Sequence, residues 1–234
     1  MIDFEIPEDA RLVRDKVRAF VQSECHPAEE ICTADNFETV LSELRVKARS
    51  QGLWCPFVPE QHGGMGLRPL ANALVQMELG ESFLGALSMN TQGPDDATML
   101  TLLEHGTDHQ KEKFLKPLLN GEKRICYSMT EKAAGADATG MQTTAVLDGD
   151  EWVLNGEKWF STNGRWAEFL IVMAVTDPDA PRHERMSMFI VPVDTPGVEI
   201  VRNVGVYGQE DGSESYVRYT DVRVPADHLL GEQG

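Results

Sequence analysis

Apolar residues recur at helical spacing throughout the first half of the chain. Behind Pro7, a residue that suits the first turn of a helix, they repeat at steps of three and four positions. The apolar positions of the first two predicted helices are Val13, Val17, Phe20 and Val21, followed by Val40, Leu41, Leu44 and Ala48. Gly52 comes after the second set, where a glycine commonly follows the last turn of a helix.

Three further helical segments complete this half of the chain. Two of them are predicted from about Pro69 to Met89 and from Asp95 to His105. The third begins at Thr107, because Thr107 and Gln110 have the spacing of a capping box. Residues 1–121 are therefore predicted to form an all-α amino-terminal domain.

After Ile125 the pattern changes to short apolar runs of β type, separated by turn residues. The runs are ICYSMT, TTAVLD, EWVLN, EKWFST, FLIVMAVT, SMFIVPV, VEIV and SYVRYTDVRV. Asn155-Gly156 lies between two of these runs and predicts a hairpin, because both residues tolerate the positive φ of a type I′ turn. We therefore predict an α+β multidomain fold, in which an antiparallel β-barrel or sandwich over residues 122–234 follows the helices.

Charge and composition narrow the classes of function. A formal net charge of −17 on 234 residues repels phosphate backbones and anionic lipid, and the sequence has no basic patch to overcome it. Neither nucleic acid nor a membrane is therefore expected as a partner. The four cysteines lack the CxxC spacing of zinc sites, and His105 and His109 are separated by a glycine that interrupts their helix, so no metal is expected. Reduced thiols and an acidic amino end favour a cytoplasmic location.

The stretch YSMTEKAAGADATG, residues 127–140, ends an apolar run in a series of very small residues. In an extended strand Ser128 and Thr130 share one face, while Met129 and Glu131 share the other. Thr130 can then reach a ligand, and the small residues that follow let backbone N–H groups approach a bulky or anionic group. A small-residue turn packed under a helix is the structural alternative.

A second stretch, NGEKWFSTNG at residues 155–164, places Phe160 and Thr162 on the same face of a strand. An aromatic ring and a hydroxyl on one face can flank a flat heterocycle and donate a hydrogen bond to its edge. The alternative is a core aromatic at the rim of a barrel. Taken together, the two stretches favour one shared ligand site.

Both stretches resemble the acyl-CoA dehydrogenase family. Residues 129–137 are similar to the family pattern Ser/Val-Thr-Glu-Pro-Gly-Ala-Gly-Ser-Asp, and residues 158–164 to the pattern Lys-x-Trp-Ile-Thr-Asn-Gly. GLWCPFVPEQHGGMG, HGTDHQKEKFLKPLLNGE and TDVRVPADHLLGEQG look like further landmarks of the family in the same order. Residues 176–198 look closest to the subgroup with mammalian family members ten and eleven.

The resemblance implies an FAD-dependent enzyme that oxidises an acyl-CoA thioester to 2-enoyl-CoA. By carry-over, Thr130 and the backbone before it would meet the polar edge of the flavin, Phe160 would flank the ring, and Thr162 would bond near its N5. The implied cofactor-binding residues are Tyr127, Ser128, Met129, Thr130, Ala136, Phe160, Ser161 and Thr162. The implied substrate-binding residues are Ala136 and Ser213. The implied partners are an electron-transfer flavoprotein or similar acceptor, and further copies of the chain in the complete enzyme.

Three departures from the family pattern bear on binding. Ala136 replaces the usual serine and loses a hydroxyl whose hydrogen bond is worth roughly 1 kcal/mol. Phe160 replaces a tryptophan. Residues 213–215, Ser-Glu-Ser, stand where many members carry Asp-Thr-Arg, which leaves the anchoring of coenzyme A at that point open.

The family's carboxy-terminal helical bundle, which normally supplies the glutamate that removes the α-proton, is expected to be absent. We assign no catalytic residue, because Glu131 should face away from the ring and Glu210 lies in a glycine-flanked loop. A positioned base contributes on the order of 10²–10⁴ in rate, so these 234 residues alone should be nearly inactive. Two alternatives stay open: a flavin oxidase of the same fold, and a non-catalytic subunit that binds acyl-CoA or flavin.

Overall fold

The computed structural model describes residues 5–205 and 212–234 of the chain. Helices occupy the first half and strands the second, which confirms the predicted α+β organisation. The α-helices are α1 Glu8–Phe20, α2 His26–Ile31, α3 Phe37–Ser50, α4 Pro69–Leu79, α5 Gly85–Ser88, α6 Asp95–His105, α7 Asp108–Gln110 and α8 Lys116–Leu119. The strands are β1 Ile125–Ser128, β2 Thr144–Asp148, β3 Glu151–Thr162, β4 Phe169–Val175, β5 Met186–Pro192, β6 Val198–Val204, β7 Glu214–Pro225 and β8 Leu229–Leu230.

The chain divides into two compact units, Met1–Asp96 and Ala97–Gly234. The last helix ends at Leu119 and the first strand begins at Ile125, so the change of element type brackets residue 121. The helical residues 97–119 nevertheless belong to the same compact unit as the strands. The domain boundary at residue 121 therefore stays a prediction.

The first unit is built on the predicted apolar stripes of α1 and α3. The stripe residues Val17, Phe20, Val40, Leu44 and Ala48 are buried in one hydrophobic cluster. Gly52 has a φ of +68° just beyond α3, as its position predicted. Its N–H bonds the Arg49 carbonyl at 2.9 Å, and the Leu53 N–H bonds the Ala48 carbonyl at 2.9 Å. This pair of bonds is the Schellman motif, which satisfies carbonyls left open by the end of the helix.

The predicted helix from Pro69 to Met89 is wrong as one element, because the structure divides it into α4 and α5. The chain turns after Leu79 and passes so close to itself that a Cβ on Gly85 would lie 2.3 Å from the Leu79 carbonyl oxygen. Only glycine permits that approach, so the break is determined by the turn and not by the apolar spacing.

The capping box predicted at Thr107 is confirmed. The Gln110 N–H donates to Thr107 Oγ1 at 3.2 Å, and the Thr107 N–H donates to Gln110 Oε1 at 3.0 Å. The Gln110 side-chain amide also donates to the carbonyls of Asp227 at 2.7 Å and Leu229 at 2.8 Å. One buried side chain thus starts this helical segment and ties it to the end of the chain. Among the described residues, no helix is both long and apolar enough to cross a bilayer.

The strands form one eight-stranded sheet with the order β6-β7-β3-β1-β4-β5-β8, and β2 pairs with both β3 and β4. The pairings are antiparallel except for β1 with β4 and β2 with β4. The mostly antiparallel β half is therefore confirmed, with all eight strands joined in one hydrogen-bonded sheet. Its apolar core includes Leu154, Leu170, Val172, Phe189 and Val217, all fully buried.

The hairpin predicted at Asn155-Gly156 is wrong, because both residues lie inside the twelve-residue strand β3. The turn between β2 and β3 lies at Gly149-Asp150 instead, where Asp148 pairs with Glu151. Asn155 and Gly156 mark a register shift in the pairing of β3 with β7. A Cβ on Gly156 would lie 2.4 Å from the hydroxyl oxygen of Thr143, the residue just before β2. The glycine is needed for this close approach, which local sequence cannot distinguish from a turn.

Candidate functional site

The two stretches singled out in the sequence lie side by side in the sheet. Strands β1 and β3 pair antiparallel with Tyr127 opposite Thr162. Beyond the end of β1, the Trp159 N–H donates to the Thr130 carbonyl at 2.8 Å, which continues the contact. The sheet therefore brings residues 127–130 and 159–162 together from sites about thirty positions apart in the chain.

An outward-facing group of hydroxyls and an aromatic ring lies along these stretches. Thr130 and Thr162 are half-buried, and among the described residues neither hydroxyl has a hydrogen-bond partner. Phe160 keeps 45% of its surface exposed, which is unusual for a phenylalanine within a strand. The Trp159 ring packs against Phe160 at 4.9 Å between centroids, with the Arg202 guanidinium over its face at 4.9 Å. Two available donors and an exposed aromatic can recognise a flat ring with a polar edge.

The outward direction of Phe160 depends on an irregularity in β3. The register between β3 and β7 shifts between Lys158 and Ser161, and Phe160 lies within that shift. Lys158 is fully buried although it lies only two positions from the exposed Phe160. Phe160 and Thr162 both face away from the core, as the sequence predicted.

Ser128 and Ser161 lie inward, under this surface. Their hydroxyls are 2.8 Å apart, and Ser128 Oγ lies 2.7 Å from the hydroxyl of Tyr219, all three side chains being buried. Burial raises the pKa of the Tyr219 phenol, which therefore stays neutral. The expectation that Ser128 shares a face with Thr130 is wrong, because β1 ends at Ser128 and the alternation of a strand stops there. Ser128 and Ser161 can meet a ligand only through their backbone.

Tyr127 and Met129 are also held from within the protein. The Tyr127 hydroxyl lies 3.5 Å from the sulfur atoms of both Met173 and Met188, which share its single donated proton. Burial raises the pKa of the Tyr127 phenol, so its hydroxyl stays a donor. The Met129 carbonyl accepts a hydrogen bond from the Lys158 ammonium at 2.8 Å. The backbone that leads to Thr130 is thus fixed on both sides.

Glu131 forms a buried ion pair with Lys158, with Oε1 and Nζ 2.9 Å apart. Burial alone would raise the pKa of the Glu131 carboxyl, but hydrogen bonds from Thr143, Lys158 and Gln142 hold it below its usual value. Burial lowers the pKa of the Lys158 ammonium, and the facing carboxylate opposes that shift. A carboxylate with all these donors is not available as a general base, in agreement with the expectation that Glu131 faces away from a ligand. Glu210, the other glutamate considered, lies outside the described residues.

The small residues after Glu131 form an exposed loop. A tight turn is closed by two backbone hydrogen bonds between Glu131 and Ala134, at 3.2 and 3.1 Å. Gly135 and Ala136 lie on its outer side, both exposed, and a Cβ on Gly135 would contact nothing within 4 Å. Asp137 ends the loop by pairing with Arg182. A bulky or anionic group therefore has access to the backbone at Ala136.

Ser213 and its neighbours lie next to the second stretch, because Thr162 pairs with Glu214 and Ser161 with Ser215 across β3 and β7. Ser213 is half-buried, whereas Ser215 is buried and donates to Asn203 Oδ1 at 3.1 Å. One buried carboxylate oxygen of Glu214 has no hydrogen-bond partner among the described residues. The sequence analysis named Glu214 only as part of residues 213–215 and assigned it no role, because nothing local reveals that it pairs with Thr162.

The residues present fit the flavin that the resemblance implies. A flavin offers a flat ring for Phe160 and hydrogen-bonding groups along its edge for the Thr130 and Thr162 hydroxyls. Its ribityl hydroxyls are donors of the kind that the open oxygen of Glu214 accepts. Buried polar atoms are rarely left without a partner, and a ligand with a complementary donor would supply one for the buried Glu214 oxygen.

Two family models match the chain. Residues 7–122 match the model described as acyl-CoA dehydrogenase, N-terminal domain, and residues 126–222 match acyl-CoA dehydrogenase, middle domain. The probable acyl-CoA dehydrogenase FadE2 of Mycobacterium tuberculosis is 40% identical over 201 residues, covering 83% of this chain and 48% of the relative. Acyl-CoA dehydrogenase family member 11 of Gallus gallus is 36% identical over 237 residues, covering 94% of this chain and 30% of the relative. This relative falls in the subgroup that residues 176–198 suggested.

A solved structure from Mycobacterium abscessus, assigned as an acyl-CoA dehydrogenase, superposes with a TM-score of 0.91 at 35% identity. The match covers 98% of this chain and 62% of that one. The chain therefore spans about half the length of the curated relatives it matches, or less.

Proposed function

The chain belongs to the acyl-CoA dehydrogenase family, and on that premise we propose that it binds FAD and an acyl-CoA thioester for α,β-dehydrogenation to the 2-enoyl-CoA. The observation that carries the proposal is the contact of residues 127–130 with residues 159–162, which brings together an exposed aromatic ring and two threonines whose hydroxyls have no partner among the described residues. FAD, when bound, would supply the two-electron oxidation of the CH–CH bond. The proposed acceptor from the reduced enzyme is an electron-transfer flavoprotein or a similar protein.

The chain's own residues would bind and orient the flavin and the thioester, and would stabilise the charge that develops on the flavin ring. Thr130 and Thr162 would donate to the edge of the ring, where fixed donors stabilise the negative charge that reduction creates. Phe160 would cover one face of the ring and limit the access of water. The exposed backbone at Ala136 would receive the phosphate-bearing part of a ligand, and Ser213 would lie at the substrate side. No described residue is assigned as the base that removes the α-proton.

Titration of the purified chain with FAD tests the proposal, with quenching of flavin fluorescence as the readout. We expect Thr130→Ala and Thr162→Ala each to weaken FAD binding about fivefold, because a neutral hydrogen bond contributes about 1 kcal/mol. Thr220→Ala is the matched control, since Thr220 is an exposed threonine in the middle of β7, away from Glu214 and its partner Thr162. It should leave FAD affinity unchanged.

The outcomes separate the proposal from its alternatives. A yellow complex whose absorption spectrum changes on addition of an acyl-CoA supports flavin and thioester binding at one site. A chain that binds acyl-CoA but not FAD favours a non-catalytic binding subunit and refutes the dehydrogenase. Rapid reoxidation by air of the chemically reduced complex favours an oxidase. Loss of FAD affinity in Thr220→Ala as large as in the two site variants would show that the hydroxyls are not the contacts.

A further inference from the structure

One side chain closes the loop that carries Ala136. The Glu131 carboxylate, at the start of the loop, accepts the Gln142 N–H through Oε2 at 2.7 Å. It also accepts the Thr143 N–H through Oε1 at 2.9 Å. Both acceptor contacts join residue 131 to the far end of the loop, just before β2 begins at Thr144. We call residues 131–143 the closed loop.

Lys158 holds the same carboxylate from the side of β3. Its ammonium donates to Glu131 Oε1 at 2.9 Å and to the Met129 carbonyl at 2.8 Å, and it lies 3.7 Å from the sulfur of Met141. The side chain is 0% exposed, so every one of these contacts is made out of water. The next residue of β3, Trp159, donates its N–H to the Thr130 carbonyl. The pair therefore contacts both ends of the closed loop and the backbone on each side of Thr130.

The outer part of the closed loop has little packing of its own. Lys132, Ala133, Gly135 and Ala136 are exposed, whereas Ala134 is buried. Small exposed side chains cannot fix the course of a backbone by packing, so the course must be fixed at the ends. The Glu131–Lys158 pair supplies that constraint.

Stability alone does not explain a buried ion pair. Taking a carboxylate and an ammonium out of water carries a desolvation penalty that their attraction often only balances, and well-packed apolar replacements are commonly neutral. What an apolar pair cannot do is accept the N–H groups of Gln142 and Thr143 or donate to the Met129 carbonyl. Those backbone groups would regain partners only if the loop moved out to water.

We propose that Glu131 and Lys158 are positioning residues, which hold Thr130 and the exposed backbone at Ala136 in the arrangement that receives the ligand. The identity of that ligand as FAD rests on the proposed function. The constraint on the closed loop rests on the contacts alone. Neither residue touches the ligand surface, since both side chains are buried.

The test replaces the pair together, so that no charge is left buried alone. In the Glu131→Leu/Lys158→Met variant we expect a melting temperature close to that of the unmodified chain. Hydrogen exchange at the amides of Gln142 and Thr143 should accelerate at least about tenfold, and FAD affinity should fall about tenfold or more, the loss expected for one or two hydrogen bonds. The matched control is Glu112→Leu/Lys116→Met, which removes a lysine–glutamate pair that is 61% and 72% exposed. It should change neither the exchange rates of the two amides nor the affinity for FAD.

A second variant keeps the test decisive if the double replacement does not fold. Glu131→Gln/Lys158→Met keeps the size of the side chain at position 131 and one acceptor oxygen, and leaves no charge buried alone, so one of the two amides, Gln142 or Thr143, should lose its protection while the other keeps it. Unchanged exchange at both amides in a folded variant refutes the proposal, whatever the flavin result. Fast exchange with unchanged FAD affinity refutes the positioning role. Failure of the unmodified chain to bind FAD refutes the proposed function alone, because hydrogen exchange is measured without ligand.

Discussion

Gln110 ties the helical segment before the sheet to the end of the chain, and its removal should be costly. Its side chain is buried, accepts the Thr107 N–H, and donates to the carbonyls of Asp227 and Leu229. Alanine at this position removes half of the capping box, worth about 1 kcal/mol. It also removes the hydrogen bonds to the Asp227 and Leu229 carbonyls, at about 0.5–1.5 kcal/mol each. We expect Gln110→Ala to lower the free energy of unfolding of the unit by about 2–4 kcal/mol.

Urea unfolding followed by far-ultraviolet circular dichroism measures this loss. Thr107→Ala serves as the comparison, because it removes the capping hydroxyl and leaves both carbonyl contacts, at a cost of about 1 kcal/mol. Gln110→Glu keeps an acceptor for the Thr107 N–H but cannot donate when ionised, so it should resemble the alanine variant. If Gln110→Ala costs no more than Thr107→Ala, the contacts to Asp227 and Leu229 contribute nothing and the reasoning is wrong.

Three further predictions concern His228, Gly156 and Tyr219 of the second unit. Burial and the neighbouring Lys113 lower the pKa of the His228 imidazole below its ordinary 6.5. The free energy of unfolding should therefore fall as the pH falls below 6.5, because the unfolded chain binds the proton more readily than the folded one. In urea titrations from pH 7.5 to pH 5, His228→Gln should make the free energy of unfolding less dependent on pH. Gly156→Ala should lower the free energy of unfolding by about 1–3 kcal/mol, because φ is +152° and the new Cβ would lie 2.4 Å from Thr143 Oγ1. Gly149→Ala is the comparison, and calorimetry should show a smaller loss because nothing lies within 4 Å of its Cβ. Tyr219→Phe removes the hydroxyl at the end of the buried serine chain and should cost about 1 kcal/mol in the same measurement, and an unchanged melting temperature would contradict it.

The elements that follow from local physics were predictable from the sequence. Gly52 and the Thr107–Gln110 box are governed by backbone groups at helix ends, which neighbouring residues alone satisfy. The change from helical to alternating spacing near Ile125 likewise needs no tertiary contact. Asn155-Gly156 was misassigned because the same residues suit a turn and a bulge, and only the partner strands decide between them.

The composition of the candidate site was only partly predictable. Phe160 and Thr162 could be found because the alternation of β3 places both side chains on one face. Thr130 lies beyond the end of β1, so its half-buried position does not follow from strand alternation. The inward direction of Ser128 could not be predicted, because β1 is only four residues long and the alternation of a strand fails where the strand ends. Glu214 could not be assigned to the site, because its position beside Thr162 depends on the register of strands that are distant in sequence.

The site is layered, and the layers differ in how they tolerate change. The departures from the family pattern at Ala136 and Phe160 fall on exposed positions, where a substitution alters the ligand surface and leaves the core intact. Glu131 and Lys158 match the pattern and are buried, and removing either one alone would leave an uncompensated charge at a cost of about 3–5 kcal/mol. A chain can therefore adjust its ligand through the outer layer while the inner pair continues to set the backbone. We therefore expect Ala136→Ser to change ligand affinity without changing the free energy of unfolding. A single substitution of Lys158 should instead lower the yield of folded protein, before any change in binding can be measured.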